Sequence, residues 1–419
     1  MQLPSSNPRI LWLIAIGLFF PLFFQLSGHV FNSEKLVIDS GGVLTQLPLP
    51  FSLIACLAGI LMSFRHYRRA GTAAVFILTL ALGMLLSVLF AAPDGQVVWR
   101  KLLLALQFLL PTMGLVLGQL VDDEQNVIPK AFLWVLCLLV PVQLLASWWQ
   151  LSLTLTHYFY VFSIYQHFQF VPVIFVIAYC LVMVHLWTTR PRLLKCLTFV
   201  MGIYAMASAA FLAISAYCGF LVVFFLLKMS RRRDAWRAGL LTLVVSTAAV
   251  VSMFGIYFLV AKSDTEFVDS TSQYANKFKM IADGKLPLNV VDRMADWKMY
   301  GDWIVESQRT LVFGHIEPPP RAVKTSAHNW YLDFVYNFGL ISMFPVLVLI
   351  ACTAWAVVRQ RKTLPEETLW LAGLVAFLVL VDSVFKVTLR QPYPGIFAYF
   401  LWGLLLTRLR ISPLRLQKP

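Results

Sequence analysis

Apolar positions in this chain come in long blocks. Runs of about 20 residues recur, parted by short stretches rich in Arg and Lys, and a helix of that length crosses a hydrocarbon core about 30 Å thick. The runs fall near 10–27, 43–64, 71–91, 97–120, 131–150, 168–188, 194–213, 217–230, 238–260, 329–355, 368–386 and 394–409. The pattern predicts an all-α polytopic membrane protein of about twelve transmembrane helices. Residues 196–228 form one continuous apolar stretch of about 50 Å, too long for a single span, so a break is expected at Ser215–Gly219, SAYCG. The first run, Ile10–Leu26, has no small-residue cleavage pattern and reads as a retained helix rather than a signal peptide.

One polar segment is long. The chain divides into helices 1 to 9 over 1–260, a loop over 261–328, and helices 10 to 12 with a basic tail over 329–419. Within the loop, Met294, Trp297, Tyr300 and Ile304 recur at spacings of three and four, which predicts an amphipathic helix over 291–307. A second stretch, 151–167, carries clustered aromatics with His157 and His167. It suits an interfacial aromatic belt or a lipid- or sugar-contacting surface.

Composition agrees with the pattern: 59% of residues are hydrophobic and 13% charged. The net charge of +14 would point to nucleic acid in a soluble protein. Here most of it sits in short loops, at RHYRR (65–69), Lys130, Arg190 to Lys195, KMSRRRDAWR (228–237), RQRK (359–362) and the tail from Arg408. Placing these inside makes both termini cytoplasmic and turns 261–328 outward. Six cysteines lie in or beside apolar runs without paired spacing, as small hydrophobes do.

Some cations break this rule. Arg100, Lys101, Lys386, Arg390, Arg293, Arg309, Arg321, Lys324 and His328 fall on the outward side near span ends, with Asp382 one turn from Lys386. Snorkelling and local pairing account for any one of them. Their convergence suggests an anion, and a phosphate or pyrophosphate matches the guanidinium fork. ATP is not indicated, because no GxxxxGK[ST] loop is present. No HExxH or comparable ligand spacing implies a metal, and no cofactor is implied. His328 stands at the polar-to-apolar transition and suits a general base. Asn329 either orients a hydroxyl or caps the next helix. Asp333 does not share a helical face with His328, and Gly339 suits close helix packing.

The residues SAHNWYLDFVYNFGLI (326–341), preceded by DRMADWKMY and TLVFGH, resemble the bacterial O-antigen ligase and O-antigen polymerase superfamily. The span count and large late outer loop agree, while residue-level likeness is confined to about 291–341. The resemblance implies a C-type glycosyltransferase-like fold in the inner membrane, a donor glycan on undecaprenyl pyrophosphate, and an acceptor that is lipid A–core or a growing glycan. Carried over by position, the family's histidine is His328 and the arginine of its outer-loop helix is Arg293. Family members commonly have an SRG-like arginine where this chain has Tyr217 and Cys218, and GxG where it has Gly314-His315. Tyr217 thus stands at an expected phosphate-binding position, and Arg100, Lys101 or Arg390 is a substitute for the missing charge. Arg321, Lys324 and Asn329 complete the expected substrate-binding set. A ligase, a polymerase using the same donor, and a transporter or flippase of an anionic lipid-linked substrate all remain open.

Overall fold

A computed structural model describes residues 7–21, 23–24, 49–92, 99–123, 125–149, 170–208, 210–231, 280, 284, 288–317 and 327–409. The helices in chain order are α1 (Pro8–Phe19), α2 (Phe51–Ser63), α3 (Gly71–Phe90), α4 (Trp99–Leu109), α5 (Met113–Leu120), α6 (Val127–Trp149) and α7 (Val171–Leu186). They continue with α8 (Pro191–Ala207), α9 (Phe211–Arg231), α10 (Leu288–Ile304), α11 (Gln308–Phe313), α12 (Trp330–Gln360), α13 (Glu366–Ala376) and α14 (Pro392–Arg408). Among the described residues the only sheet is a two-residue antiparallel pairing of Phe23–Phe24 with Leu49–Pro50.

Six described helical segments are long and apolar enough to cross a membrane: Phe51–Phe90, Lys101–Leu120, Val127–Trp149, Phe211–Lys228, Trp330–Gln360 and Glu366–Phe385. Many of their Leu, Val, Phe and Trp side chains stay exposed, as lipid-facing positions do. The chain is an all-α, multi-pass membrane protein. Phe51–Phe90 is not one straight rod, since His66 (φ −98°, ψ 18°) breaks it inside a 3-10 turn over Phe64–Ala70. The expected span at 238–260 and the aromatic stretch at 151–167 lie outside the described residues.

The chain forms two compact units, one of residues 1–125 with 289–419 and one of residues 126–288. In the first, α5 and α14 pack at backbone distance. A Cβ added at Gly114 or Gly118 would lie 2.2 Å from the carbonyl oxygens of Ile396 and Phe400 respectively. Between helices in lipid, such small residues let backbones approach and supply van der Waals contact. A second close crossing joins α11 to α12. Gly314 (φ 74°) and Gly339 (φ 70°) both use left-handed backbone, and a Cβ on Gly339 would fall 2.1 Å from the Val312 carbonyl oxygen. The packing role expected of Gly339 has this geometry.

In the second unit, α7 is buried on nearly every face. Tyr179, Tyr204, Tyr217, Phe175 and Phe220 interlock there through ring contacts. The expected break at Ser215–Gly219 is not found: those residues are helical within α9. The preceding helix, α8, ends instead at Ala207, with Ser208 as its cap. Ser208 Oγ donates to the Ala205 carbonyl at 2.7 Å and accepts from the Ala210 N–H at 3.3 Å, an exchange that ends α8. A Cβ added at Gly219 would meet no other described residue within 4 Å, so no close approach requires a glycine there.

Candidate functional site

The junction at residues 327–330 belongs to the first unit. Asn329 is the N-cap of α12, its Oδ1 accepting from the Tyr331 N–H at 3.0 Å and the Leu332 N–H at 3.2 Å. The cap ends the preceding turn sharply, and His328 adopts φ 50°. A non-glycine residue in left-handed backbone is uncommon and costs energy that the surroundings must offset.

Two neighbours hold this turn. From α10, Trp297 Nε1 donates to the Ala327 carbonyl at 3.1 Å. From the other side, the Trp330 N–H donates to the Lys386 carbonyl at 3.1 Å. Trp297 also lies against Phe385, with ring centroids 5.9 Å apart. Arg293 precedes Trp297 by one helical turn and is half-buried. Burial lowers its pKa, while the negative fields of Asp296 and Asp382 oppose that shift. Lys386 Nζ lies 3.4 Å from Asp382 Oδ1, and Thr388 donates a short hydrogen bond to Asp382 Oδ2. Arg293, Asp382 and Lys386 therefore form one electrostatic group around the His328 turn. Asp296 and Asp382 formally balance Arg293 and Lys386, so these four make a polar mouth without excess charge. Further positive charge comes in the sequence from Arg321 and Lys324, which lie outside the described residues.

One layer deeper, Asp333 and Arg390 form a buried ion pair. Arg390 Nη1 donates to Asp333 Oδ2 at 2.9 Å, and Nη2 donates to Gln107 Oε1 at 3.2 Å. The guanidinium carbon also sits 5.1 Å from the centre of the Phe108 ring. Asp333 is fully buried, and among the described residues neither its Oδ1 nor Arg390 Nε has a hydrogen-bond partner. The buried hydroxyl of Tyr300, in α10, also lacks one. Burial, then the charge of Asp333, pushes that phenol further up from its ordinary pKa. Tyr300 couples this deeper pair to α10, the helix that carries Arg293.

Lys101 begins a span in the sequence, yet its side chain is buried. Its Nζ donates to the Ser87 and Phe313 carbonyls, each at 3.2 Å, and lies 5.9 Å from the Phe338 ring centre. Lys101 thus supports the Gly314–Gly339 crossing from beneath. Arg100 lies in the first turn of α4. Tyr217 belongs to the second unit, where its hydroxyl donates to the Thr198 carbonyl at 2.6 Å, a helix-to-helix contact. Arg309 Nε donates to the Phe90 carbonyl at 3.1 Å.

His315, beside Gly314, was not singled out by its spacing. Its ring stacks on Tyr336 with centroids 4.1 Å apart, its backbone N–H donates to the Tyr336 carbonyl at 2.8 Å, and ring Nε2 lies 3.0 Å from the Trp303 carbonyl. Burial lowers its pKa, so the imidazole is neutral at pH 7 and works as a packing and hydrogen-bonding group. Asp333 was likewise missed as a partner of Arg390, because 57 residues separate them. The sequence matches no protein-family model and no curated protein significantly.

Proposed function

We propose that this protein is an inner-membrane glycosyltransferase of the O-antigen ligase type. It would move a glycan from undecaprenyl pyrophosphate to a hydroxyl of lipid A–core, working on the periplasmic side with both termini cytoplasmic and about twelve spans in all. The observation that carries the reading is the strained His328 turn, pinned between Trp297 of the Arg293 helix and the Lys386 carbonyl. The resemblance of residues 291–341 to the ligase and polymerase superfamily supplies the chemistry. An ionisable side chain held at a membrane edge, at a cost in backbone energy, is a functional feature by default.

In the proposed reaction an acceptor hydroxyl attacks the anomeric carbon of the donor sugar. The new C–O bond forms as the bond to the pyrophosphate oxygen breaks, with inversion at carbon. His328 takes the hydroxyl proton, and the leaving pyrophosphate keeps the bonding electron pair. Arg293, with Arg321 and Lys324 from the adjoining loop, meets the charge growing on that group. Asn329 holds the turn through its cap, and the Asp333–Arg390 pair keeps α12 in register beneath it.

The test is transfer in proteoliposomes supplied with a defined undecaprenyl-pyrophosphate glycan and lipid A–core. Glycan-capped lipid is expected, falling at least a hundredfold in His328→Ala and in Arg293→Ala. Elongated donor without capped lipid would make the protein a polymerase, and movement of intact donor across the bilayer would make it a transporter. Either outcome overturns the ligase reading. Full activity in His328→Gln would reassign His328 from base to phosphate ligand.

A further inference from the structure

Away from the junction, the first unit carries a notch that the proposed reaction leaves unused. It opens where the start of α1 meets the end of α2 and the 3-10 turn Phe64–Ala70. Asn7, Ser63, Arg65 and His66 form its polar side, while Ile10 and Met62 are on its apolar side. Among the described residues no acidic one lines it. Val121 is part of its wall, but the neighbouring Asp122 is held by Arg69 at 3.1 Å.

The surroundings are those of a membrane edge. Leu13, Leu61, Met62 and Phe64 are all more than half exposed, an apolar skirt around the notch that suits hydrocarbon. Arg9, Arg65 and Arg68 are exposed beside that skirt. Arg68 leans on Tyr67, its Nε 3.4 Å from the phenol oxygen, which leaves Arg65 as the lining cation. His66 is buried to 4% exposure at the helical break, so its imidazole forms part of a fixed wall. The ligand must therefore offer an anion to a polar recess and hydrocarbon to the skirt outside it.

We propose that this notch binds the phosphodiester of an anionic phospholipid, with the exposed Arg65 on the phosphate oxygens and the acyl chains over Ile10 and Met62. Basic recesses at the ends of transmembrane helices recognise lipid head groups in this way. The charge of Arg65 selects anionic over zwitterionic lipid, and the apolar skirt selects a lipid over a free anion. The inference does not depend on the proposed transferase activity or on which membrane face the notch occupies.

Native mass spectrometry of the full-length protein, released from nanodiscs of mixed phosphatidylglycerol and phosphatidylcholine, tests it. Phosphatidylglycerol is expected to be retained preferentially, and Arg65→Gln is expected to weaken its retention about fivefold. Arg65 is exposed, so this variant should fold. Arg361→Gln, at another basic turn, should leave retention unchanged. Equal retention of the two lipids would overturn the proposal, as would equal losses in the Arg65 and Arg361 variants. So would competition by millimolar inorganic phosphate as effective as that by the lipid, which would make the notch a free-phosphate site.

Discussion

The two units are built from similar apolar helices but handle polar groups differently. Among the described residues of the second, the buried polar side chains include no Asp, Glu, Lys or Arg, and several turn back on the backbone. Tyr217 donates to the Thr198 carbonyl, Thr198 bonds Tyr179 and the Leu194 carbonyl, and His185 Nδ1 lies 2.9 Å from the Leu181 oxygen. In the first, the buried groups include Asp333, Asp382, Lys101 and Lys386, with Arg390 close to the same state. Desolvating an ion costs far more than desolvating a hydroxyl that finds a carbonyl. Hydroxyls are sufficient for helix packing, so the first unit fixes its helices by the costlier means, with buried ions that are paired or held by carbonyls.

The largest effect should come from Asp333→Ala, which leaves the Arg390 guanidinium without its carboxylate. Removing one member of a buried pair costs about 3–5 kcal/mol, towards the lower end here because the Arg390 side chain is 19% exposed. Unfolding followed by SDS titration should show that loss. The double variant Asp333→Leu with Arg390→Met should recover most of the stability, because the charge left behind is then gone. If that double variant were as unstable as the single one, packing rather than charge would explain the position, and the contrast between the units would weaken.

A smaller pair of substitutions applies one chemical change to both units. Tyr217→Phe removes a hydroxyl that donates to the Thr198 carbonyl and should cost about 0.6–1.5 kcal/mol. Tyr300→Phe removes a buried hydroxyl with no partner among the described residues, so stability should hold or rise by up to about 1 kcal/mol. Opposite signs from the same lost oxygen, read in the same SDS titration, would confirm that the first unit carries unsatisfied polarity. Equal losses would mean that the Tyr300 hydroxyl is satisfied from outside the chain.

Sequence reading reached those features that depend on local pattern. The apolar runs located α3, α6, α12 and α14 to within a few residues, and spacings of three and four located α10. The Asn329 cap was one of two open readings and follows from residue type at a polar-to-apolar step. What pattern did not reveal were contacts between distant segments. Asp333 was set aside because His328 does not share its face, whereas its partner lies on the approach to α14. Lys101 resembled a mouth cation because hydropathy cannot see that two carbonyls await it inside the fold. The hydropathy pattern places the α8–α9 break at Ser215–Gly219, whereas the helix ends earlier, where the Ser208 side chain bonds the backbone on either side.

The smallest expected effect concerns His315, which brings a titratable ring into the α11–α12 crossing. Its folded pKa lies below the ordinary 6.5, with burial as the leading cause. The unfolded chain therefore binds a proton more readily, and stability rises with pH wherever that difference operates. The contribution of the neutral ring is fully present above pH 6.5 and is lost as pH falls from there through the folded value. Protection factors of the 308–315 amides, which divide out the intrinsic pH dependence of exchange, should fall over that window, and His315→Phe should flatten the response while keeping a ring against Tyr336. A wild-type profile already flat between pH 7 and 5 would show that the ring stays as well solvated as in the unfolded chain, leaving fixed buried ions as the distinguishing polarity of the first unit.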